Sequence, residues 1–342
     1  MFWDIFNDLL FFLAGIGVFL VGIVKFSNLL QSEASDSVKN VFKRMGDNRL
    51  VGFGVGAGTT TVVQSSTATT IIVVSLVNAG IMTAAQSTAV IFGANVGTAL
   101  SNMLLSLSSF RIRYVFMLFV FIGALTKLFT QKPRINRIAD FLMSFGIIFV
   151  GLEIMRLSFE NSVYLVDGFS YLLSTFSNPL MLILLAFTLT AIIQSSTAAT
   201  AIFISLATVE GLLEFSTIMY LVMGSLLGTT VTTLIAAIPA NRNAKRAAVM
   251  HLMFNVFAVL IFLPIVWPLE NNFVWLFNSI THNAIWQITL FSLMLKLATA
   301  TILLCFIKQV NLLVHFIVRD KPEAIVKDDS EALDISGFTD KF

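Results

Sequence analysis

Two copies of one polar tetrapeptide, Gln-Ser-Ser-Thr, lie in the middle of apolar segments, at residues 64–67 and 194–197. The stretches 64–76 and 194–206, which start at each glutamine, are identical at nine of their thirteen positions. Side-chain amides and hydroxyls at membrane depth are unfavourable unless they are paired or line a water-filled cavity. A duplicated polar motif in this setting therefore predicts a ligand site at the interface between two repeats.

The flanking sequence predicts that each motif interrupts a helix. The apolar segments 51–79 and 180–209 are broken at their centres by the motifs, which is typical of two half-helices that meet at a tip. At the tip, the start of the second half-helix leaves backbone amides unpaired and carries a partial positive charge, so it stabilises an anion. The first half-helix ends in free carbonyls, and these oxygens suit a bare Na⁺.

Two such tips that face each other would form one central compartment. Its candidate anion ligands are the motif hydroxyls of Ser65, Ser66, Thr67, Ser195, Ser196 and Thr197. Gln64 and Gln194 are candidate cation ligands, together with Thr60 and Thr190, which lie one helical turn before them on the same face. A single Ser-Ser pair in a membrane helix more often bonds only to the preceding turn. The duplication favours the ligand site.

Composition indicates an integral membrane protein, since 57% of the residues are hydrophobic, 12% are charged and the mean hydropathy is +0.90. The apolar runs long enough to cross a bilayer are about 9–30, 84–107, 114–130, 138–155, 216–238, 247–267 and 284–307. We interpret the 33 phenylalanines as mainly lipid-facing. The net charge of +2 gives no indication of a nucleic acid partner, and the single cysteine excludes an internal disulfide.

The duplication extends beyond the motif, because Gly17 and Gly22 of the first span match Gly146 and Gly151 at the same spacing. The repeats cover about residues 11–130 and 140–269. Each would hold three crossings and one re-entrant hairpin, and an odd number of crossings inverts the second copy. The predicted fold class is therefore an all-α membrane protein with an inverted repeat. A final span at about 284–308 completes a transmembrane domain of residues 1–318, and residues 319–342 are expected to form a flexible soluble tail.

Basic residues predict the orientation in a cell membrane, because they accumulate in cytoplasmic loops. With the N-terminus outside, the inner loops hold ten basic residues, whereas the outer loops hold Arg111 and Arg113, with Arg156 at a span end. The C-terminus would then be cytoplasmic, and the first hairpin would enter from the cytoplasm and the second from outside. Residues 38–44 would form a short interfacial helix or an ordinary loop.

A second pair of motifs follows the first pair. It reads Gly93-Ala94-Asn95-Val96-Gly97-Thr98 in one repeat and Gly224-Ser225-Leu226-Leu227-Gly228-Thr229 in the other. With these motifs the chain resembles the type II sodium/phosphate cotransporter family over nearly all of residues 11–269. The glycines at four-residue spacing are expected to pack each hairpin closely against the next span.

The resemblance implies Na⁺ and inorganic phosphate as transported partners, no other cofactor, and a lipid bilayer as the environment. It also implies Asn95, Thr98 and Thr229 as further Na⁺ ligands, although Asn95 is equally suited to fixing the span to the hairpin. His251 and Asn255 lie in a stretch that also resembles the family and would stand behind the ligands. Leu226 replaces the usual asparagine, so one cation site is expected to be altered or lost.

The sequence thus predicts a Na⁺-coupled phosphate transporter that works by alternating access. The alternatives are a transporter or channel for another small anion, and a phosphate exporter. An enzyme is disfavoured, because the spans contain no Ser-His-Asp order, no His-Glu-x-x-His motif and no paired carboxylates. Stoichiometry, Na⁺ or H⁺ coupling, direction of transport and oligomeric state are left open by the sequence.

Overall fold

The computed structural model of the chain describes residues 2–44, 48–109, 113–209 and 212–319. These residues form fifteen α-helices and one short 3-10 helix at Leu105–Ser109. The α-helices, numbered in chain order, are α1 Phe2–Arg44, α2 Arg49–Val63, α3 Ser66–Asn78, α4 Ala84–Asn102, α5 Arg113–Phe129, α6 Pro133–Glu160, α7 Val163–Thr175, α8 Pro179–Ile193, α9 Ser196–Ala207, α10 Phe215–Gly228, α11 Thr230–Ala237, α12 Arg242–Val266, α13 Glu270–Ile280, α14 Ala284–Cys305 and α15 Ile307–Ile317. The predicted all-α class is confirmed over the described ranges, which contain no strand.

Six helical segments are long and apolar enough to cross a membrane, so the protein is a multi-pass membrane protein. They are Trp3–Ser32, Ala84–Ser109, Pro133–Glu160, Phe215–Ala237, Arg242–Val266 and Ala284–Cys305. These match six of the seven predicted spans. The seventh forms α5, whose 17 residues extend for about 26 Å, slightly less than the hydrocarbon core of a bilayer. Its crossing stays a prediction.

Several predicted boundaries are wrong. Residues 38–44 are neither a separate helix nor a loop, because α1 continues without a break to Arg44. The last span ends at Cys305 rather than near 308, and α15 follows it after Phe306. The segment between the predicted spans that end near 267 and begin at 284 contains α13. Helices α13 and α15 are short and bury only a few side chains, so no long apolar run in the sequence predicts them. Of the predicted tail, residues 320–342 lie outside the described residues.

Helices α1 and α6 pack against each other in antiparallel orientation. A Cβ atom added to Gly15 would lie 2.8 Å from the backbone nitrogen of Met155, and one added to Gly22 would lie 2.8 Å from that of Ile148. The rings of Phe12 and Phe159 are 5.0 Å apart at their centroids. As residue numbers increase along α1, the numbers of the contacting residues on α6 decrease, which is the antiparallel arrangement. Close approach of the two backbones at the glycines stabilises this packing.

The helix that precedes each motif packs on the second helix after the motif. Helix α2 packs on α4, and α8 packs on α10. A Cβ atom on Gly93 of α4 would lie 1.9 Å from the carbonyl oxygen of Phe53 in α2. In the second repeat, a Cβ atom on Gly224 of α10 would lie 2.2 Å from the carbonyl oxygen of Ile183 in α8. Only a glycine fits at these separations, so the expected packing role of the glycines is confirmed.

Phenylalanine fills the protein interior as well as facing outward, which corrects the lipid-facing interpretation. The fully buried phenylalanines are Phe19, Phe92, Phe149, Phe159, Phe254 and Phe291. Phe116 and Phe149 lie 4.7 Å apart between ring centroids, and Phe92 and Phe254 lie 5.3 Å apart. Composition indicates how many large apolar side chains there are, but the helix packing decides which of them face another helix.

Candidate functional site

Both motifs lie where a helix is interrupted, as predicted. Gln64 follows the last residue of α2 and has a φ of 60°, and Gln194 follows α8 with the same φ. These are the two non-glycine residues of the described ranges with positive φ. Their backbone N–H groups donate to the carbonyls of Thr60 and Thr190 at 2.8 and 2.7 Å. A left-handed conformation costs a non-glycine residue about 1–3 kcal/mol and is typical of functional sites.

The first serine of each motif caps the helix that follows. Ser65 Oγ accepts from the backbone N–H of Ala68 at 3.1 Å, and Ser195 Oγ accepts from that of Ala198 at 3.2 Å. An N-cap serine satisfies one of the unpaired amides of the first turn. Caps and left-handed glutamines therefore give the two motifs the same local structure.

One cavity of about 350 Å³ brings the two motifs together. Its lining includes residues 64–67, residues 194–197 and Thr98 of α4. Ser66 and Ser196 are 6% and 7% exposed, and their hydroxyls have no hydrogen-bond partner among the described residues. No charged side chain of the described residues lines this motif cavity. The positive ends of α3 and α9 therefore dominate its electrostatics.

Helix α1 contributes polar residues to the motif cavity that the sequence interpretation missed. Ser27, Asn28 and Gln31 all line it, and Ser27 Oγ donates to the carbonyl oxygen of Val63 at 2.6 Å. That bond ties α1 to the end of α2, just before Gln64. The signal in the sequence was the spacing of these three polar residues, which places them on one face at the end of an otherwise apolar run.

The threonines predicted as cation ligands lie behind the motifs, not in the motif cavity. Thr60 and Thr190 are fully buried, and neither side-chain oxygen has a hydrogen-bond partner among the described residues. Each packs on a glycine of the next helix, since a Cβ atom on Gly97 or Gly228 would lie 2.8 or 2.6 Å from the threonine Cβ. Gln64 Oε1 is a third buried oxygen without a partner. Such oxygens are suitable ligands for a cation that has lost its water.

The other predicted cation ligands bond to their own helices. Asn95 Nδ2 donates to the carbonyl of Ile91 at 2.9 Å, and Thr98 Oγ1 donates to that of Ala94 at 3.1 Å. Thr229 Oγ1 donates to the carbonyl of Leu226 at 2.8 Å. Thr98 lines the motif cavity, whereas Asn95 and Thr229 are buried outside it. Their roles as ligands stay predictions.

The two residues predicted to stand behind the ligands are fully buried on α12. His251 Nδ1 lies 3.0 Å from Thr233 Oγ1 of α11, and Asn255 Nδ2 donates to the carbonyl of His251 at 3.0 Å. Within the described part of the chain, His251 Nε2 and Asn255 Oδ1 have no hydrogen-bond partner. Neither residue lines the motif cavity. The structure thus places His251 beside α11 and leaves both residues outside the motif cavity.

Comparison with known families decides the class of protein. The model of the Na⁺/Pi-cotransporter family matches residues 18–157 and 164–268, which include both motifs and most of both repeats. The chain belongs to the Na⁺/Pi-cotransporter family. Members of this family are transporters rather than enzymes. No solved structure matches the chain.

Three relatives show the range of the similarity. YjbB of Salmonella typhimurium, whose name assigns it provisionally to inorganic phosphate export, is 26% identical over 88% of this chain and 54% of its own length. The chain thus spans about half the length of YjbB. YqeW of Bacillus subtilis, an uncharacterised protein, is 26% identical over 92% of this chain and 97% of its own length. The sodium-dependent phosphate transport protein 2A of Rattus norvegicus is 37% identical over 26% of this chain and 15% of its own length.

Proposed function

We propose that this protein transports inorganic phosphate coupled to Na⁺ by alternating access, with the phosphate held between the two Gln-Ser-Ser-Thr motifs. One observation carries the proposal. The two motifs are far apart in the sequence, at 64–67 and 194–197, and interrupt two different helices, yet both line the same cavity. A cavity built twice from the same helix-terminal amides and hydroxyls suits a small tetrahedral anion that accepts hydrogen bonds on all sides.

Phosphate would lie between the N-termini of α3 and α9. Ser66 and Ser196 supply hydroxyls without other partners, and the backbone amides of both first turns supply further donors. A helix N-terminus in a partly buried site stabilises an anion by up to about 2 kcal/mol. No basic side chain of the described residues lines the cavity, so the charge of phosphate needs neutralisation from elsewhere. Bound Na⁺ would provide it.

Sodium coupling is supported by the unpaired oxygens beside each motif. Thr60 Oγ1 and Gln64 Oε1 flank the first helix end, and Thr190 Oγ1 takes the matching position at the second. A Na⁺ that binds such oxygens would stabilise the left-handed glutamine turn and present positive charge to the phosphate. Cation and anion would then bind in a mutually dependent way, which is the thermodynamic requirement for coupled transport.

The contact between α1 and α6 supports the inverted repeat and the re-entrant hairpins. These two helices open the two repeats and run antiparallel. Gly22 contacts Ile148, and its repeat equivalent Gly151 contacts Phe19, which is the repeat equivalent of Ile148. Reciprocal contacts of this type arise from a two-fold axis, and for antiparallel helices that axis lies across them. Each hairpin would then enter the membrane from its own side.

Phosphate export is the second candidate, because the relative YjbB is named for it. The same cavity and the same Na⁺ sites serve either direction, since a coupled carrier is reversible and the gradients set net flux. Export would therefore alter the physiological direction, not the residues that bind.

The test is uptake of radiolabelled phosphate into proteoliposomes with and without an inward Na⁺ gradient. We expect Na⁺-dependent accumulation above the equilibrium level, inhibited by excess unlabelled phosphate and not by sulfate. Protein-free liposomes and the double variant Ser66→Ala/Ser196→Ala serve as controls. Flux that only equilibrates, whatever the Na⁺ gradient, would indicate a channel, and the absence of phosphate flux in a folded protein would refute phosphate transport.

A further inference from the structure

Helix α6 is the repeat counterpart of α1, position by position. Both contain Phe-Leu-x3-Gly-x3-Val-Gly, at residues 12–22 and 141–151, which fixes how the two helices align. The α1 residues Leu20, Ile23, Val24 and Ser27 line the motif cavity. In the same alignment their counterparts on α6 are Phe149, Leu152, Glu153 and Arg156.

Those four counterparts also line a common cleft. It is a space of only about 20 Å³ between α6 and α9, and α9 contributes Ile204, Ser205 and Thr208 to it. Because α9 is the counterpart of α3, counterpart helices border the motif cavity and this α6–α9 cleft, although α9 contributes residues nearer its C-terminus than those that α3 contributes to the motif cavity. Because α1 and α6 run antiparallel, the two places lie at opposite ends of the helix pair.

We propose that the α6–α9 cleft is the second access path to the motif cavity, closed in this structure, and that Glu153 and Arg156 become its hydrated lining when it opens. The inference rests on the proposed function, since it identifies the route by which an alternating-access carrier would load from its other face.

Burial and cavity volume differ between the two places, since the motif cavity holds about 350 Å³ and the cleft about 20 Å³. Val24, on the wall of the motif cavity, is 53% exposed, whereas the side chain of its counterpart Glu153 is 11% exposed. Ser205 on α9 is 2% exposed, and its counterpart Ser75 on α3 is exposed. Helix α6 packs along α9, while the motif cavity lies between α1 and α3. A conformational change that exchanges these two arrangements would expose the cleft.

The charges on α6 suit a surface that separates from its neighbour. Arg156 Nε donates to Glu153 Oε2 at 3.0 Å, and a terminal nitrogen of its guanidinium bonds to Glu160. All three residues belong to α6, so moving α6 away from α9 breaks none of these ion pairs. Opening instead hydrates Glu153 and Arg156, whose side chains are only 11% and 16% exposed, and hydration favours ionised groups. This hydration would offset part of the cost of separating the apolar surfaces of α6 and α9.

The paths would also differ in charge. The α1 counterparts of Arg156 and Glu160 are Ser27 and Gln31, which are neutral. The α6–α9 path would therefore respond to neutralisation of its lining, whereas the motif cavity contains no described charge to remove. That difference provides a test that does not depend on measuring transport.

The first arm of the test locates the two paths by cysteine labelling in a Cys305→Ala background. Asn28→Cys reports on the motif cavity and Ser205→Cys on the α6–α9 cleft. The protein is placed in sealed vesicles, and a membrane-impermeant maleimide is applied from one face at a time, with and without Na⁺. We expect labelling of Asn28→Cys from one face only and slower labelling of Ser205→Cys from the opposite face only. Labelling of both from the same face, or a Ser205→Cys that never reacts, would overturn the proposal.

The second arm tests the charged lining. Adding Glu153→Gln and Arg156→Gln together neutralises both shielded charges, and the remaining partner of Arg156, Glu160, is already exposed. We expect several-fold slower labelling of Ser205→Cys and faster labelling of Asn28→Cys, because opening then hydrates fewer charges. Lys127→Gln is the matched control, since it breaks the Lys127–Asp140 ion pair between α5 and α6 away from the cleft. Equal labelling rates in the double variant, the control and the parent would refute the charged lining.

The labelling and the uptake assay fail independently. If the folded protein transports no phosphate but the two cysteines are labelled from opposite faces, the second path is supported and the proposed substrate is refuted. If phosphate uptake depends on Na⁺ but both cysteines are labelled from one face, the proposed function is supported and this second path is refuted.

Discussion

Ser66 and Ser196 occupy the same place in two repeats, the first residue of a helix whose amides point into a shared cavity. Ser65 and Ser195, the residues before them, already cap those helices. The capping serines maintain the turn, and the following serines are free to meet a ligand. The two serines of each motif therefore have separable roles at the level of single hydrogen bonds.

Replacement of Ser66 or Ser196 by alanine is expected to weaken phosphate binding without unfolding the protein. A hydrogen bond to a charged partner contributes about 1.5–3 kcal/mol. The phosphate concentration for half-maximal uptake should therefore rise about tenfold or more. Phosphate dependence of uptake measures this. Ser75→Ala is the control, because Ser75 lies on α3 too but bonds to the carbonyl of Ile71 and does not line the cavity. Unchanged affinity in both test variants would contradict the anion site.

Asn95 and Leu226 test whether the two repeats hold cations unequally. If Asn95 gives an oxygen to Na⁺, Asn95→Leu should raise the Na⁺ concentration for half-maximal uptake, because leucine cannot coordinate a dehydrated cation. Leu226→Asn should leave that concentration near the parent value or lower it. Na⁺ activation curves of both variants decide the matter. A lower protein yield with unchanged Na⁺ dependence in Asn95→Leu would make Asn95 structural, in line with its bond to Ile91.

At the scale of helices, glycines set the distance between each interrupted helix and its neighbour. Gly56 of α2 faces α4 so closely that a Cβ atom would lie 2.0 Å from the carbonyl oxygen of Val90. A Cβ atom added to Gly58 of the same helix would have no neighbouring atom within 4 Å. The contact face of α2 is thus defined residue by residue, and it holds Thr60 and Gln64 in register with α4.

These two glycines provide a matched pair for a stability measurement. Gly58→Ala should leave the protein unchanged or stabilise it by up to about 1 kcal/mol, because alanine is the better helix former. Gly56→Ala should destabilise it by about 1–3 kcal/mol, because the backbone of α4 must move. Thermal unfolding in one detergent compares them directly. Equal melting temperatures would show that α2 and α4 are less closely packed than the structure indicates.

At the scale of the whole molecule, the antiparallel contact of α1 and α6 relates the two repeats. In the proposed transport cycle, the motif cavity and the α6–α9 cleft would open to opposite sides of the membrane in turn. The orientation of the whole bundle in the membrane is a separate matter, for which the basic residues of the loops make a prediction.

Single cysteines at Lys132 and Asn272 test the orientation in a Cys305→Ala background. Both residues are exposed, the first between α5 and α6 and the second on α13. An impermeant maleimide applied to intact cells should label Asn272→Cys, whereas Lys132→Cys should react only after the cells are opened. The reverse pattern would place the N-terminus inside. Labelling of both cysteines from one side would contradict the predicted number of membrane crossings and therefore the inverted repeat.

The sequence by itself determined the membrane class, the family resemblance and the place of each motif at a helix break. These features are local, since hydrophobic runs, repeated words and caps are encoded by neighbouring residues. The sequence also indicated that close packing explains the glycines at four-residue spacing. It did not reveal α13 and α15, whose buried faces are too short to stand out.

Only the tertiary structure decided which polar groups share a cavity. Thr60 and Thr190, predicted as cation ligands with the glutamines, pack on α4 and α10 and do not line the motif cavity, whereas Ser27, Asn28 and Gln31 join the motifs from α1, a separate helix. The same holds for Phe149, which faces α9 rather than lipid. Helical spacing tells which residues share a face, but the neighbour that this face meets depends on how separate helices pack, and that is a long-range property of the whole chain.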